Sequence, residues 1–244
     1  MINKEVLQFQ KDCFKNYLDD IRKKVPEIPN PYIYPDGNPV RPIIPTKTVQ
    51  NSIMLIGAFP SARFEKRNKV LIPVGDNLSP FGQEEYFDGS TVRTQASRDS
   101  LNETYFPQLN IDPDKIWITD VVKVYLYPEK HIKNCKVISP HISFVNTHDL
   151  FKNIAAASMD WMKKEISVCN PKLIITLGEV AARTISGDSK TGIKTLLNGE
   201  VRPLTFDREY NIAHLGHPEI RRINKEWNDL TEQAIMTLSK YISM

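Results

Sequence analysis

Apolar positions along this chain follow two spacings, one typical of helices and one typical of buried strands. Four short runs are apolar or β-branched nearly throughout, and each run ends in a turn or loop. Runs of this kind are typical of parallel strands that are covered on both faces. Strands are therefore predicted at 52–56, 116–119, 173–177 and 210–213.

Helical spacing, with apolar residues three or four positions apart, occurs in the segments around these runs. It predicts helices at 3–24, 147–169, 179–185 and 224–243. This β/α order predicts a three-layer α/β/α fold around a four-stranded parallel sheet. In such sheets ligands bind in the crevice beyond the carboxyl ends of the strands. The residues that follow each strand are therefore the place to look for a site.

The segment 26–45 separates the first helix from the first strand and carries seven of the 17 prolines. Proline fixes φ and lacks an N–H, so this segment cannot form a regular helix or a central strand. We predict a single domain in which a helix and a proline-rich strap, residues 1–45, pack on a main body that spans 46–244.

The composition, 41% hydrophobic and 25% charged, is that of ordinary globular proteins. No window approaches the roughly 18 apolar residues that a membrane span needs, and the amino terminus lacks the apolar core of a secretory signal. We expect a cytoplasmic protein without membrane contact. Cys13, Cys135 and Cys169 lie far apart with no CxxC pair, so neither a disulfide framework nor a zinc site is indicated.

A net charge of +3 is too small to indicate a nucleic-acid partner by itself. The basic residues nevertheless cluster at 63–69, 123–136 and 221–225, at loops or element ends of the predicted fold. Such clusters suit contacts with phosphates. Lys123 in the second cluster and Ser61 after the first strand are candidate phosphate contacts.

Four motifs at or near the strand ends occur in chain order: GAFPS at 57–61, WITDVVKV at 117–124, NPKLIITLGEVA at 170–181 and HLGHPEIRR at 214–222. Together they resemble the uracil-DNA glycosylase superfamily, and the second and third are most similar to its iron-sulfur branch. The resemblance implies a monomeric, monofunctional DNA glycosylase without covalent lysine chemistry. Such an enzyme flips a damaged or modified base out of double-stranded DNA and leaves an abasic site.

The resemblance assigns the main catalytic role to His217. Cleavage of an N-glycosidic bond sends negative charge onto the departing base, and a preorganised donor at the pyrimidine O2 stabilises that charge. The loop from Pro218 onward would enter the minor groove. There Ile220 would act as an apolar wedge in the stack, with Arg221 and Arg222 on phosphates or groove edges.

The first motif resembles a loop that faces the sugar and the flipped base, which makes Gly57, Ala58 and Phe59 candidates for base binding. Several branches carry a carboxylate or amide at its second or third position to orient the attacking water, whereas this chain has Ala58 and Phe59. Two explanations stay open. Either another carboxylate substitutes, with Asp76 and Asp88 as candidates, or catalysis depends mainly on stabilising the leaving base.

The superfamily's usual asparagine at the end of the second strand is Asp120 here. An asparagine can accept from uracil N3–H and donate to O4, but a carboxylate can only accept. Asp120 should therefore repel O4 and welcome the N4 amino group of cytosine, provided that cytosine N3 receives a proton from Asp120 or from solution. Removal of ordinary cytosine would destroy the host genome. This favours a modified cytosine, such as the hydroxymethylated or glucosylated forms of some phage DNA, for which the small Ala58 would leave room.

For stacking on the extruded base, the superfamily uses an aromatic residue in a Phe-x-Gly context. The sequence FDG at 87–89 has this form, so Phe87 is the first candidate. Phe59, Phe81 and Tyr86 are the alternatives.

The iron-sulfur branch holds its cluster with four cysteines, but Val124 and Ser158 stand at or near two of those positions. No cluster, metal or other cofactor is therefore expected. Three alternatives to a modified-cytosine glycosylase remain. These are a plain uracil-DNA glycosylase of base excision repair, a binder of abnormal DNA that does not cut it, and an inactive or protein-binding relative.

Overall fold

Nine strands and eight α-helices are defined in the computed structural model, which describes residues 3–219 and 224–243. The strands are β1 (Ile53–Gly57), β2 (Ala62–Arg67), β3 (Val70–Asp76), β4 (Tyr86–Phe87), β5 (Val92–Arg93), β6 (Trp117–Asp120), β7 (Leu173–Leu177), β8 (Arg202–Thr205) and β9 (Glu209–Leu215). The helices are α1 (Lys4–Lys24), α2 (Ala96–Ser100), α3 (Phe106–Leu109), α4 (Glu129–Ile138), α5 (Phe151–Cys169), α6 (Glu179–Ser186), α7 (Ile193–Leu196) and α8 (Lys225–Ile242), with a π-helical turn (Leu101–Tyr105) before α3.

The central sheet has the strand order β6-β1-β7-β9-β8. The first four strands are parallel, as the sequence predicts, and in this register Gly57 lies opposite Asp120. A fifth strand, β8, adds an antiparallel edge beside β9. It was not predicted because it is short, partly exposed and contains Pro203, and proline in a sheet is confined to such edges.

Successive side chains of each strand face opposite sides of the sheet and bury two separate cores. On one side, Met54 and Trp117 join a cluster with residues of α1 and α5. On the other side, Leu55 and Ile118 join the π-helical turn, α3 and α8. Both faces are covered, which confirms the three-layer architecture. It also explains why the strands carry unbroken apolar runs.

The amino-terminal segment contributes to the first of these cores. Helix α1 packs on α5, and residues 26–45 contain no helix or strand apart from an isolated bridge between Ile33 and Pro39. The Tyr32 hydroxyl donates to the backbone carbonyl of Tyr125 at 2.7 Å, and the Tyr34 ring stacks on that of Tyr125 at 6.0 Å. The segment thereby holds the loop that follows β6.

A β2–β3 hairpin and the short β4–β5 hairpin lie between the first two parallel strands, where the sequence predicted no regular structure. The β2–β3 turn places Asn68 and Lys69 at φ 46° and 66°. Turns of this kind normally use glycine, and its absence left no signal in the sequence. None of the helices described for this chain is both long and apolar enough to span a membrane.

Candidate active site

A cavity of about 570 Å³ opens at the carboxyl ends of the parallel strands, where the fold rule placed the site. Its floor and walls include the residue that ends or follows each strand: Ala58 after β1, Asp120 in β6, Gly178 after β7 and His217 after β9. Ser61, Gln95 and Ser97 add polar groups to the lining, and Trp227 adds an indole from α8. The cavity is therefore apolar in large part, with a few polar groups that converge on it, as in small-molecule sites.

Gly57 makes room for the two side chains at the floor of the cavity. A Cβ atom on Gly57 would lie 2.2 Å from Oδ1 of Asp120 and 2.6 Å from Cε2 of Phe81. Both distances are well inside van der Waals contact. Only glycine lets the carboxyl group and the ring come this close to the first motif.

Asp120 is almost fully buried, with 2% of its surface exposed. Burial raises its pKa to about 7, and nearby Lys123 opposes part of this rise. Within the described residues, no donor pairs with its carboxyl oxygens. Asp120 thus presents a carboxyl group whose pKa lies near neutral pH and which is free to pair with a ligand.

Lys123 does not contact solvent, so the predicted phosphate contact is wrong. Its side chain is fully buried, and its Nζ donates to Glu165, to the Thr119 hydroxyl at 2.6 Å and to the backbone carbonyl of Asp120. The indole N–H of Trp117 donates to the other oxygen of Glu165 at 2.7 Å. A buried lysine is held only by such a partner, and the partner comes from α5, 42 residues away.

His217 also lines the cavity, but it follows β9, which lies three strands away from the β6 strand of Asp120. Its Nδ1 accepts from the backbone N–H of Glu219 at 3.2 Å, which assigns the ring hydrogen to Nε2. Burial lowers the pKa of the imidazole, so the ring is neutral at pH 7. Gly178 has φ +86°, and a Cβ there would lie 3.0 Å from the Cβ of His217. The main chain thus holds a neutral imidazole that carries its hydrogen on Nε2.

The rest of the second motif is described only in part. Pro218 is buried and follows His217 directly. Ile220, Arg221 and Arg222 lie outside the described residues, so their roles in the minor groove stay predictions.

Neither carboxylate proposed to orient the attacking water lines the cavity. The Tyr34 hydroxyl donates to Asp76 at 2.7 Å, and the backbone N–H of Arg41 donates to it at 3.1 Å. Asp76 therefore joins the strap to the β2–β3 hairpin. The prediction failed because the GDN sequence that suggested a loop continues strand β3 into this junction.

Asp88 organises the β4–β5 turn. It accepts backbone N–H groups of Ser90 and Thr91, each at 2.8 Å, and pairs with Arg93. These contacts lower its pKa to about 2. The prediction of a catalytic Asp88 is corrected accordingly, since its oxygens are occupied within the turn.

Glu179 is the carboxylate that the sequence reasoning missed. It begins α6, lines the cavity and pairs with Arg183 at 2.8 Å. Asp120 and Glu179 are the two carboxylates among the described lining residues. The sequence did carry a signal for Glu179. It lies directly after Leu177 and Gly178, where the third predicted strand ends.

Phe81, rather than Phe87, is the aromatic residue at the floor. Phe87 is 67% exposed on the β4–β5 hairpin and does not line the cavity. The Phe-x-Gly form at 87–89 belongs to that turn, in which Gly89 has φ +91°. Phe81 lies against Gly57 and Asp120. Phe59 also lines the cavity, but its ring meets that of His148 edge-on at 5.5 Å.

The residues at the cluster positions of the iron-sulfur branch do not fit a cluster. Val124 is a buried apolar residue, and the Ser158 hydroxyl pairs with that of Tyr17 at 2.6 Å. All three cysteines are buried, in α1, α4 and α5. No group of three potential metal ligands was found among residues 3–219 and 224–243.

A cavity over the carboxyl ends of a parallel sheet, lined by a buried carboxyl group and a neutral imidazole, defines an α/β protein with a ligand-sized site at the sheet edge. Residues 46–238 match the uracil DNA glycosylase superfamily, and the chain belongs to this superfamily. Members of this superfamily are DNA N-glycosylases, which are hydrolases. No curated protein matches the chain.

Proposed function

We propose that this chain excises a modified cytosine from double-stranded DNA by flipping the base into the cavity between Asp120 and His217, leaving an abasic site. The observation that carries the proposal is the buried carboxyl group of Asp120 at the cavity floor, with a pKa of about 7. We further propose that the protein acts as a monomer in the cytoplasm.

A protonated Asp120 complements the edge of cytosine that carries N3 and N4. Its O–H donates to the N3 lone pair, and its other oxygen accepts from the N4 amino group. Transfer of this proton to N3 also makes cytosine a better leaving group. Uracil already carries a hydrogen at N3 and cannot take the proton there.

His217 would stabilise the other edge of the base. Its Nε2–H can donate to O2, where negative charge accumulates as the glycosidic bond breaks. A neutral donor fits this role without a proton transfer. A preorganised donor of this kind is worth about 10² to 10³ in rate.

Fewer side chains are in a position to orient the attacking water than to bind the base. Ala58 and Phe59 leave the usual position of the water-orienting group apolar, and Asp76 and Asp88 lie elsewhere in the fold. Glu179 is the remaining carboxylate in the described wall. We therefore propose that stabilisation of the leaving base contributes most of the rate and that Glu179 assists the water.

We restrict the proposed substrate to modified cytosine because excision of ordinary cytosine would harm the host. An enzyme that removed ordinary cytosine would damage its host, whereas hydroxymethylated or glucosylated cytosine occurs in some phage DNA. A defence role against such DNA accounts for the proposed substrate. A plain uracil glycosylase is the second candidate, because superfamily membership favours it and a neutral carboxyl group can also pair with uracil N3–H and O4.

The direct test incubates the purified protein with duplexes that carry uracil, cytosine, hydroxymethylcytosine or glucosylated hydroxymethylcytosine, followed by alkali to reveal abasic sites. We expect cleavage at the modified cytosines, and we expect Asp120→Asn to shift the preference toward uracil. An unchanged preference in Asp120→Asn would contradict the role of Asp120. Binding without cleavage on every duplex would favour a non-catalytic binder of abnormal DNA.

A further inference from the structure

Asp120 and His217 line the cavity from strands that are far apart in the strand order of the sheet. Asp120 ends β6, and His217 follows β9 by two residues. Three strand spacings separate β6 from β9 in the order β6-β1-β7-β9, or about 14 Å at roughly 4.8 Å per strand. A pyrimidine between the two side chains therefore has a defined direction across the sheet.

The chemistry of the ring then fixes where a substituent at C5 must point. In a pyrimidine, C5 is diametrically opposite C2, the atom that carries O2. If O2 faces His217, a group on C5 leaves the ring away from His217, toward the β6 side of the cavity. That side is walled by the chain after Asp120, because the backbone N–H of Val122 donates to the carbonyl of Ala58 and brings this chain against the first motif.

Four ring side chains form this wall, and we call them the C5 wall: Phe59, Tyr125, His131 and His148. The Tyr125 hydroxyl and Nδ1 of His131 share a hydrogen bond of 2.5 Å, and the two rings stack at 6.2 Å. The His148 ring meets Phe59 edge-on at 5.5 Å. These contacts hold the aromatic faces in place and leave Nε2 of His131 and both ring nitrogens of His148 without a partner among the described residues.

The polarity of the C5 wall suits a neutral, hydroxylated group. Burial lowers the pKa of His131, and neighbouring Lys130 and His148 lower it further, so this ring is an uncharged donor or acceptor at pH 7. No lysine or arginine is among the described residues that line the cavity. A phosphate would need such cations, whereas hydroxyl groups need only neutral partners. The cavity, at about 570 Å³, is also in the range that holds ligands much larger than a single ring.

We propose that the C5 wall is a subsite for a hydroxyl-bearing substituent, such as a hexose, on C5 of the extruded cytosine. The aromatic ring of Phe59 packs on its apolar C–H groups, the free nitrogens of His131 and His148 bond its hydroxyl groups, and Tyr125, stacked between Tyr34 and His131, holds His131 in place. This inference rests on the proposed function, since it takes the orientation of the base from His217 and Asp120.

The test compares excision of glucosylated and unglucosylated hydroxymethylcytosine from matched duplexes under single-turnover conditions. We expect His148→Ala and His131→Ala each to lower the ratio of the two rates, glucosylated over unglucosylated, by about tenfold, the value of one lost hydrogen bond. His148→Gln, which keeps a donor and an acceptor, should recover part of the ratio. His148 is exposed, so its replacement leaves the fold intact. His141→Ala, an exposed histidine outside the cavity, is the matched control and should leave the ratio unchanged.

A ratio that stays the same in both alanine variants would overturn the subsite, even if the protein excises cytosine derivatives. A second measurement covers the case in which the wild-type protein cuts nothing. Fluorescence anisotropy then gives the Kd for the same two duplexes. Tighter binding of the glucosylated duplex that is lost in His148→Ala would support the subsite while the proposed catalytic function fails. Equal affinities that do not respond to either substitution would overturn the subsite on its own.

Discussion

The two sides of the cavity hold their key groups by different means. On the β6 side, Asp120 is supported from below by buried side chains, since Lys123 bonds its backbone carbonyl and pairs with Glu165. On the β9 side, His217 is held by main-chain geometry, through the N–H of Glu219 and the close approach of Gly178. Side-chain support couples the position of Asp120 to the stability of the whole domain. Main-chain support leaves the histidine separable from it.

The largest effect is expected from Lys123→Met, which breaks the support beneath Asp120. It leaves the carboxylate of Glu165 buried without its cation, which typically costs about 3–5 kcal/mol of unfolding free energy. Denaturant titration measures this loss. Lys133→Met removes one partner of the exposed Lys133–Glu129 pair and should cost less than about 1 kcal/mol. Equal losses in the two variants would contradict the structural role of the buried pair.

His217→Ala tests the opposite side. We expect excision to slow by about 10² to 10³, because the donor at O2 is lost, with the unfolding free energy and DNA affinity nearly unchanged. Single-turnover rates and anisotropy on the same duplex measure the two quantities. A fully active variant would remove His217 from the mechanism, and a large loss of stability would show that the two sides are not held differently.

Gly57→Ala tests the space between the two sides. The new methyl group would displace the carboxyl of Asp120 and the ring of Phe81, and a misplacement of about 1 Å can cost about 10² in rate. Gly192→Ala is the control, since a Cβ there meets nothing within 4 Å and its φ is −58°. Comparable excision rates for the two variants would show that the site tolerates a displaced Asp120 carboxyl group.

The pH dependence of Asp120 offers a finer comparison. Its folded pKa of about 7 lies above the ordinary value of 3.8. The folded state therefore binds the proton more tightly than the unfolded state does, and this stabilisation is complete below about pH 4 and lost as pH rises through 7. Asp120→Asn should remove that slope, so that in denaturant titrations the variant gains stability relative to wild type as the pH rises from about 4 to about 7, with no further gain above pH 7.

Excision of a cytosine derivative should follow the same titration. The rate falls by up to about tenfold per pH unit above pH 7 if the proton on Asp120 is required, and Asp120→Asn lacks this decline. A wild-type rate that rises steadily from pH 6 to pH 9 would contradict proton donation by Asp120.

The smallest effect is expected from Glu179→Gln. Because we assign most of the rate to stabilisation of the leaving base, this change should slow excision by less than about tenfold. A loss in the range of about 10² to 10⁴, typical of a general base, would instead make Glu179 the missing water-orienting group. Excision rates of the wild-type protein and Glu179→Gln on the same duplex distinguish a minor role of Glu179 from that of a general base.

Much of the fold and part of the site could be predicted from local pattern. The four parallel strands carry unbroken apolar runs, and the parallel-sheet rule then places Asp120, Gly57 and His217 at one edge. The aromatic residue at the floor could not be predicted in this way. Phe87 stands in the expected Phe-x-Gly form, but that form here makes a hairpin turn. Phe81 lies at the floor beside Gly57, which is far away in the chain, so local pattern gives no signal for it.

The sequence by itself determined three things: the layers of the fold, the order in which the strand-end motifs occur, and the carboxyl group at the end of β6. These depend on periodicity and on residues that lie close together in the chain. Only the tertiary structure decided which polar groups face the cavity. Lys123 turns inward because Glu165 of α5 lies beneath it, and Asp76 and Asp88 turn away because Tyr34 and Arg93 engage them. The physical reason is that a charged or polar side chain takes the direction in which a partner satisfies it, and here that partner often comes from another element of the fold.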